Sequence, residues 1–153
     1  MGLENMITIS ELTYADQNIF ALVSELLQQL TDKPIAITMD ELEKIISTKN
    51  TMLFAAIDEN DNNAIVGILS LVFIRKLSGI MVRIEDVVVH NNARKRGIGK
   101  QLMLHAIEIA KSKGVQDIGL TCHPARVAAN NLYTSLGFQK HKTNVYRLKI
   151  KTG

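Results

Sequence analysis

A single cysteine, Cys122, stands in this chain of 153 residues. One thiol closes no internal disulfide and anchors no metal cluster, which points to a reducing compartment. Histidine supplies no metal set either: His90, His105 and His141 share no ligand spacing, and no metal is expected. No apolar run approaches the roughly 20 residues of a membrane span. The N-terminus, acidic at Glu4, lacks a secretory signal's basic-then-apolar order, and Met6 stands where N-myristoylation of Gly2 needs Ser or Thr. A cytoplasmic protein with no membrane partner is the expectation. Charge of one sign is not in excess, since 18 Lys+Arg oppose 15 Asp+Glu for a net +3. Basic residues gather only at 94–100 and 140–142, so no nucleic-acid partner is expected. Repeats, linkers and low-complexity tracts are missing as well.

What is present suits a folded chain: 46% hydrophobic and 22% charged residues, with length enough to bury about two thirds of the unfolded surface. One domain over 1–153 is expected. Residues 6–10 alternate as a first strand. Asp16 precedes Ile19, Phe20, Leu22, Val23, Leu26, Leu27 and Leu30, the broad apolar face of a helix. Thr38 with Glu41 reads as a capping box ahead of Leu42, Ile45 and Ile46, and Pro34 separates the two helices. Strands at 52–57 and 65–74 flank a polar turn at 59–63 and should pair as a hairpin. A turn at 75–79 leads into a strand at 81–89. After a polar break at 90–92, a basic, glycine-bearing turn opens a helix whose apolar positions are Ile98, Leu102, Met103, Ala106, Ile107 and Ile109. Lys111 and Gly114 end it. A strand over 115–122, a short helix over 125–135 closed by Gly137, and an alternating last strand over 145–150 complete the order β-α-α-β-β-β-α-β-α-β. That order reads as a mixed α/β sheet with helices on both faces.

The strand, turn and helix at 83–104 carry the chemistry. The first four N–H groups of a helix have no internal partner and lie at the positive end of its dipole, so the turn is ready for an anion. Gly97 and Gly99 let backbone approach a guest, and Arg94, Lys95, Arg96 and Lys100 add charge, making a phosphate or pyrophosphate seat. A Walker A loop is excluded, because Gln101 follows Lys100 and Arg94, not glycine, lies five residues before Gly99. A dinucleotide fingerprint fits poorly, since Leu102 fills its third small position. What remains is R-x-x-G-x-G from Arg94 to Gly99, directly after Ile84-Glu85-Asp86-Val87-Val88-Val89.

This pattern resembles the [QR]-x-x-G-x-[GA] loop of the GCN5-related N-acetyltransferases. A second stretch, A-R-V-A-A-N-N-L-Y-T-S-L-G-F at 125–138, is similar to that family's motif ending in L-Y-x-x-L-G-F. The resemblance covers most of the chain and is strongest over 83–138. Thr143-Asn144-Val145-Tyr146-Arg147 resembles uncharacterised bacterial members, and Ile84-Glu85-Asp86-Val87 the glucosamine-phosphate acetyltransferase branch. The resemblance implies a mixed, mostly antiparallel sheet with two splayed central parallel strands and helices on both faces. It implies acetyl-CoA as co-substrate and direct transfer without an acyl-enzyme. Backbone groups of Val87, Val88 and Val89 would pair with the pantetheine arm, and amides of Arg96, Gly97, Ile98, Gly99 and Lys100 would take the pyrophosphate. Homodimers are frequent in that family, so a homodimer is among the expected arrangements.

Acetyl transfer to an amine must hold the cofactor, deprotonate the amine and stabilise the leaving thiolate. An alkyl amine with pKa near 10.4 is mostly protonated at pH 7, a handicap of roughly 4–5 kcal/mol, so a base is wanted. Glu85 and Asp86 are the acidic residues of the central strand. In a regular strand they point to opposite faces, so one enters a cleft unless a bulge intervenes. Glu85 is the favoured base, with Asp86 as its rival; a structural carboxylate paired with Arg83, Arg75 or Lys76 is the competing reading. Tyr133, the tyrosine of L-Y-x-x-L-G-F, is the candidate general acid, its phenol protonated at pH 7. Asn130, one helical turn before it, is a candidate cofactor contact. Arg126 occupies the position, seven before the tyrosine, where many family members have asparagine, and is left to reach a phosphate or the acceptor. The acceptor, a small molecule or a protein amine, is not readable. A catalytically silent acyl-CoA sensor is the alternative function.

Overall fold

A computed structural model describes residues 6–152. The signal and myristoylation readings rest on Gly2 and Glu4, outside that range. The chain divides into two compact units, one ending at Leu120 and the other beginning at Thr121. Each is described by itself.

The first unit is built on five strands in the order β1-β2-β3-β4-β5. They are β1 (Ile7–Glu11), β2 (Thr51–Asp58), β3 (Ala64–Lys76), β4 (Gly79–Val89) and β5 (Ile118–Gly119). β1 to β4 pair antiparallel and β4 pairs with β5 in parallel. The hairpin expected at 52–74 forms, and its turn carries positive φ at Asn62 and Asn63, which asparagine tolerates.

Helices α1 (Gln17–Leu30) and α2 (Met39–Ser47) cover one face. Asp16 caps α1 by accepting from Ile19 N–H, and Thr38 with Glu41 closes the capping box at α2. A cap is worth about 1 kcal/mol, whereas each buried aliphatic contributes roughly 1.5–3 kcal/mol. Val23, Leu26 and Leu27 of α1 therefore outweigh its cap by packing with Leu42, Leu53, Ala55, Ile68 and Val88. α3 (Ile98–Ser112) covers the opposite face, as the alternation of strand side chains requires. Ile68 points toward α1, while a Cβ built on the adjacent Gly67 would lie 3.1 Å from Leu102 Cδ1 and 3.4 Å from Ile98 Cγ2. Ile98, Leu102, Met103, Ala106 and Ala110 are buried there, and Ile107 and Ile109 half-buried.

Two expected strands need correction. The strand read over 115–122 is reduced to Ile118–Gly119, because only Val82 and Arg83 of β4 find parallel partners before the chains part. The last strand read over 145–150 does not form: Val145, Tyr146, Leu148 and Ile150 are 78–88% exposed. Alternation supplies a side-chain pattern, but a strand needs a neighbouring ladder. β5 is accordingly an edge of the described sheet, not central to it.

The second unit holds α4 (Val127–Ser135), closed by Gly137 at φ +94°. Among the described residues, no helix is long and apolar enough to cross a membrane.

Gly67→Ala should destabilise the protein by about 1–2 kcal/mol. The new methyl meets Val88 O at 3.3 Å as well as the two α3 side chains, and a Tm lower by about 3–6 °C is the expected reading. An unchanged or raised Tm would show that α3 does not need the bare backbone.

Candidate active site

β4 carries the extra residue that decides where its carboxylates stand. Ser70 pairs with Glu85 and Ile68 with Val88, so Leu69 of β3 faces both Asp86 and Val87. Asp86 is the bulged residue, at φ +52°, a conformation aspartate tolerates better than most side chains. The bulge puts Glu85 on the face of Val88, although they are three residues apart. There Glu85 is half-buried, and Arg83 Nε donates to its Oε1 at 2.7 Å. The structure thus contains the pairing named as the competing reading for Glu85. With side chains 31% and 41% exposed, the pair is worth at most about 1 kcal/mol and is readily exchanged. Asp86 has a carboxyl pKa raised by partial desolvation and then by the charge of Glu85, even though part of its surface reaches solvent.

Beyond Arg83, β4 has no strand partner on its β5 side among the described residues. Val87, Val88 and Val89 follow in that stretch. Val88 is buried in the core, so it has only backbone to offer a ligand.

The strand ends in a 3-10 turn at Asn91–Ala93 and the loop before α3. Gly97 is the N-cap residue, left-handed at φ +75°, and no side chain caps the helix. The first recorded main-chain bond there runs from Gln101 N–H to Gly97 O. Unlike α1 and α2, α3 therefore offers its first-turn amides outward, around Ile98, Gly99 and Lys100. Lys95 and Lys100 are exposed and form no ion pair among the described residues. Arg94 Nε donates to Val89 O at 3.3 Å.

Arg96 has a different job from the one its charge suggested. Its Nη1 meets Asp58 Oδ2 at 2.8 Å, at the end of β2. Asp58 is buried, and Arg96 holds its carboxyl below the usual range, with Asn60 N–H adding a second bond. The turn after β4 is tied to α1 as well. His90 Nδ1 accepts from Asn92 N–H, which leaves Nε2 as the donor to Glu25 Oε1 at 2.9 Å. Gln29 Oε1 accepts from Asn91 N–H at 2.8 Å. Asp58, Glu25 and Gln29 escaped the sequence reading because their partners lie 38 to 65 residues away. The unbroken apolar run that ends at Asp58 was the only signal.

In the second unit Tyr133 is buried, edge-on to Phe138 at 6.1 Å. Burial raises its phenol pKa, Cys122 adds to the rise and Arg126 opposes it. Asn130 turns its amide group inward, donating to His123 O at 3.0 Å and Arg126 O at 2.8 Å, with Cys122 Sγ at 3.5 Å. Its Oδ1 takes no hydrogen bond among the described residues, so only that atom is left for a ligand. Arg126 is the N-cap residue of α4 but makes no side-chain cap. No group of three or more His, Cys, Asp or Glu that could hold a metal occurs among the described residues.

Asp58→Asn should lower Tm at pH 7, measured by differential scanning calorimetry. The depressed pKa sets the sign: Asp58 stabilises above its unfolded value near 3.9, and that contribution fades as pH falls through the lower folded value. The Tm gap between variant and wild type should close in strong acid; a gap that persists there would point to another cause.

The sequence model described as "Acetyltransferase (GNAT) family" matches residues 20–138. An uncharacterized N-acetyltransferase of Bacillus subtilis (strain 168), YhdJ, is 29% identical over 136 residues, covering 87% of this chain and 92% of that protein. GCN5-related N-acetyltransferase 4, chloroplastic, of Arabidopsis thaliana is 37% identical over 59 residues, 39% of this chain and only 20% of the plant protein. Among solved structures, an aminoglycoside acetyltransferase from an uncultured soil metagenomic sample, in complex with trehalose, superposes with a TM-score of 0.84. Its identity is 22%, with 97% of this chain and 99% of that one covered. An uncapped helix start behind a bulged strand, inside a match that spans most of the sequence, places the chain in the GNAT acetyltransferase family.

Proposed function

We propose that the whole chain acts as one N-acetyltransferase domain, moving an acetyl group from acetyl-CoA to a primary amine by direct attack in a ternary complex. The observation that supports this most is the outward amide set at the start of α3, the one helix start without a side-chain cap among the described residues of the first unit. Oriented N–H groups at the positive end of a helix suit a diphosphate, and exposed Lys95 and Lys100 add charge without needing fixed geometry. Arg94 and Arg96 hold the loop around that seat. Val87, Val88 and Val89 then offer main chain to the pantetheine arm, and the free Oδ1 of Asn130 is the further contact.

The balance of the reaction assigns the remaining roles. The amine nitrogen attacks the thioester carbonyl carbon and sheds a proton to Glu85, directly or through water. The C–S bond breaks, the thiolate takes the Tyr133 proton, and amide and free CoA leave. Asp86 is the rival base, and its raised pKa suits proton uptake nearer neutrality. Burial raises the Tyr133 pKa, so its phenol holds the proton more firmly than an exposed tyrosine until the thiolate forms.

The silent acyl-CoA sensor draws on one observation, the engagement of Glu85 by Arg83. Thiol release from acetyl-CoA over a panel of amines separates the readings, since a sensor binds the coenzyme without amine-dependent release. Gly99→Trp should abolish acetyl-CoA binding in a protein with native-like circular dichroism; an unchanged dissociation constant would overturn the diphosphate seat. Tyr133→Phe should lower kcat about a hundredfold with little change in coenzyme affinity. An unaltered kcat where chemistry limits turnover would remove Tyr133 from the mechanism.

A further inference from the structure

We infer that Arg83 binds an anionic group, a carboxylate or a phosphate, on the amine acceptor, so that the preferred acceptors are anionic amines. The inference rests on the transferase reading and names its substrate class. Side chains alternate along β4, with Val82 and Ile84 buried while Met81, Arg83 and Glu85 stay half-buried on the face that α1 and α2 cover only in part. On that face Val72 of β3 lies opposite Arg83, Ser70 opposite Glu85 and Ile74 opposite Met81. On the other side Arg83 pairs with Gly119, which has no side chain to lay over it. The guanidinium therefore has largely apolar ladder neighbours, lies next to the favoured base and keeps 31% of its side chain exposed.

Its hydrogen bonding is incomplete. Of five N–H donors only Nε–H is used, by Glu85 Oε1 at 2.7 Å, and Arg83 makes no other hydrogen bond among the described residues. Side-on pairing through Nε leaves the edge formed by the two terminal nitrogens open, the geometry that grips a carboxylate or phosphate with two parallel bonds. With 31% of the side chain exposed, solvent is the alternative partner for those donors. An acceptor that covers the guanidinium displaces that water, and a neutral one leaves charged donors unpaired, which is penalised heavily. An anionic acceptor replaces the water with a charged partner and is spared that penalty. Cationic amines meet the guanidinium's charge with nothing to offer it.

The test uses matched acceptors at saturating acetyl-CoA: glycine against glycinamide for the carboxylate, and glucosamine 6-phosphate against glucosamine for the phosphate, each read by thiol release. In at least one pair, kcat/KM for the anionic member should exceed that for the neutral one by about 10- to 100-fold. The pair showing it tells carboxylate from phosphate. Arg83→Gln should erase the preference while calorimetry finds acetyl-CoA affinity unchanged, and Arg83→Lys should restore part of it. A wild-type protein that treats both members of each pair alike, or a preference that survives Arg83→Gln, overturns the inference and leaves the transferase reading standing. Bound acetyl-CoA with no thiol release from any of these amines or from a broader neutral and cationic panel overturns both.

Discussion

Where α3 begins is decided by the bare backbone at Gly67. Ile98 is the first residue of that helix and Leu102 is one turn on, and both press on the strand where any other residue would place a Cβ. The first-turn amides inherit their position from this contact, because a buried side chain at the very start of a helix leaves it little freedom to slide or fray. Three polar ties then hold the loop from outside: Arg96 to Asp58, His90 to Glu25 and Asn91 to Gln29. The amides are thus fixed before any guest arrives, which is the condition under which oriented dipoles are worth most.

The second organising feature is the single extra residue in β4. Without it Glu85 and Val88 would stand on opposite faces, since strand side chains alternate. With Asp86 inserted at positive φ, one face carries a buried valine under α1 and, two positions of β3 along, a half-exposed carboxylate beside Arg83. The strand can therefore anchor the core at one end and present polar groups at the other without changing direction. Asp86 carries the cost, in a backbone conformation few side chains favour and with a carboxyl that resists ionisation.

Much of this was legible in the residues because it is local. The capping box at Thr38 and Glu41, the Asp16 cap, the hairpin and the glycine spacing at 97 and 99 involve neighbours within a few positions, and each formed where the pattern placed it. What the residues could not show is long-range. Asp58 looks like the end of an apolar strand until Arg96 reaches it across 38 positions. The bulge stood only as an option, because its location depends on the register with β3. Residues 115–122 and 145–150 were read as full strands from side-chain pattern alone. Their shortfall follows from the ladder: after Arg83 the parallel pairing stops, and residues 145–150 form no ladder among the described residues.

In the proposed diphosphate seat most side-chain changes leave the contact intact, since every residue but proline brings the same N–H, and only bulk driven into the seat itself, as at Gly99, removes it directly. Its other weak points lie behind it, in the glycine that lets the helix settle and in the aspartate that restrains the loop. Among natural alleles, loss of coenzyme affinity should therefore arise more often from altered packing and tethering than from the exposed lysines. A census of tolerated substitutions would find Lys95 and Lys100 freer to drift than Gly67, where an added Cβ would meet α3 and not a ligand.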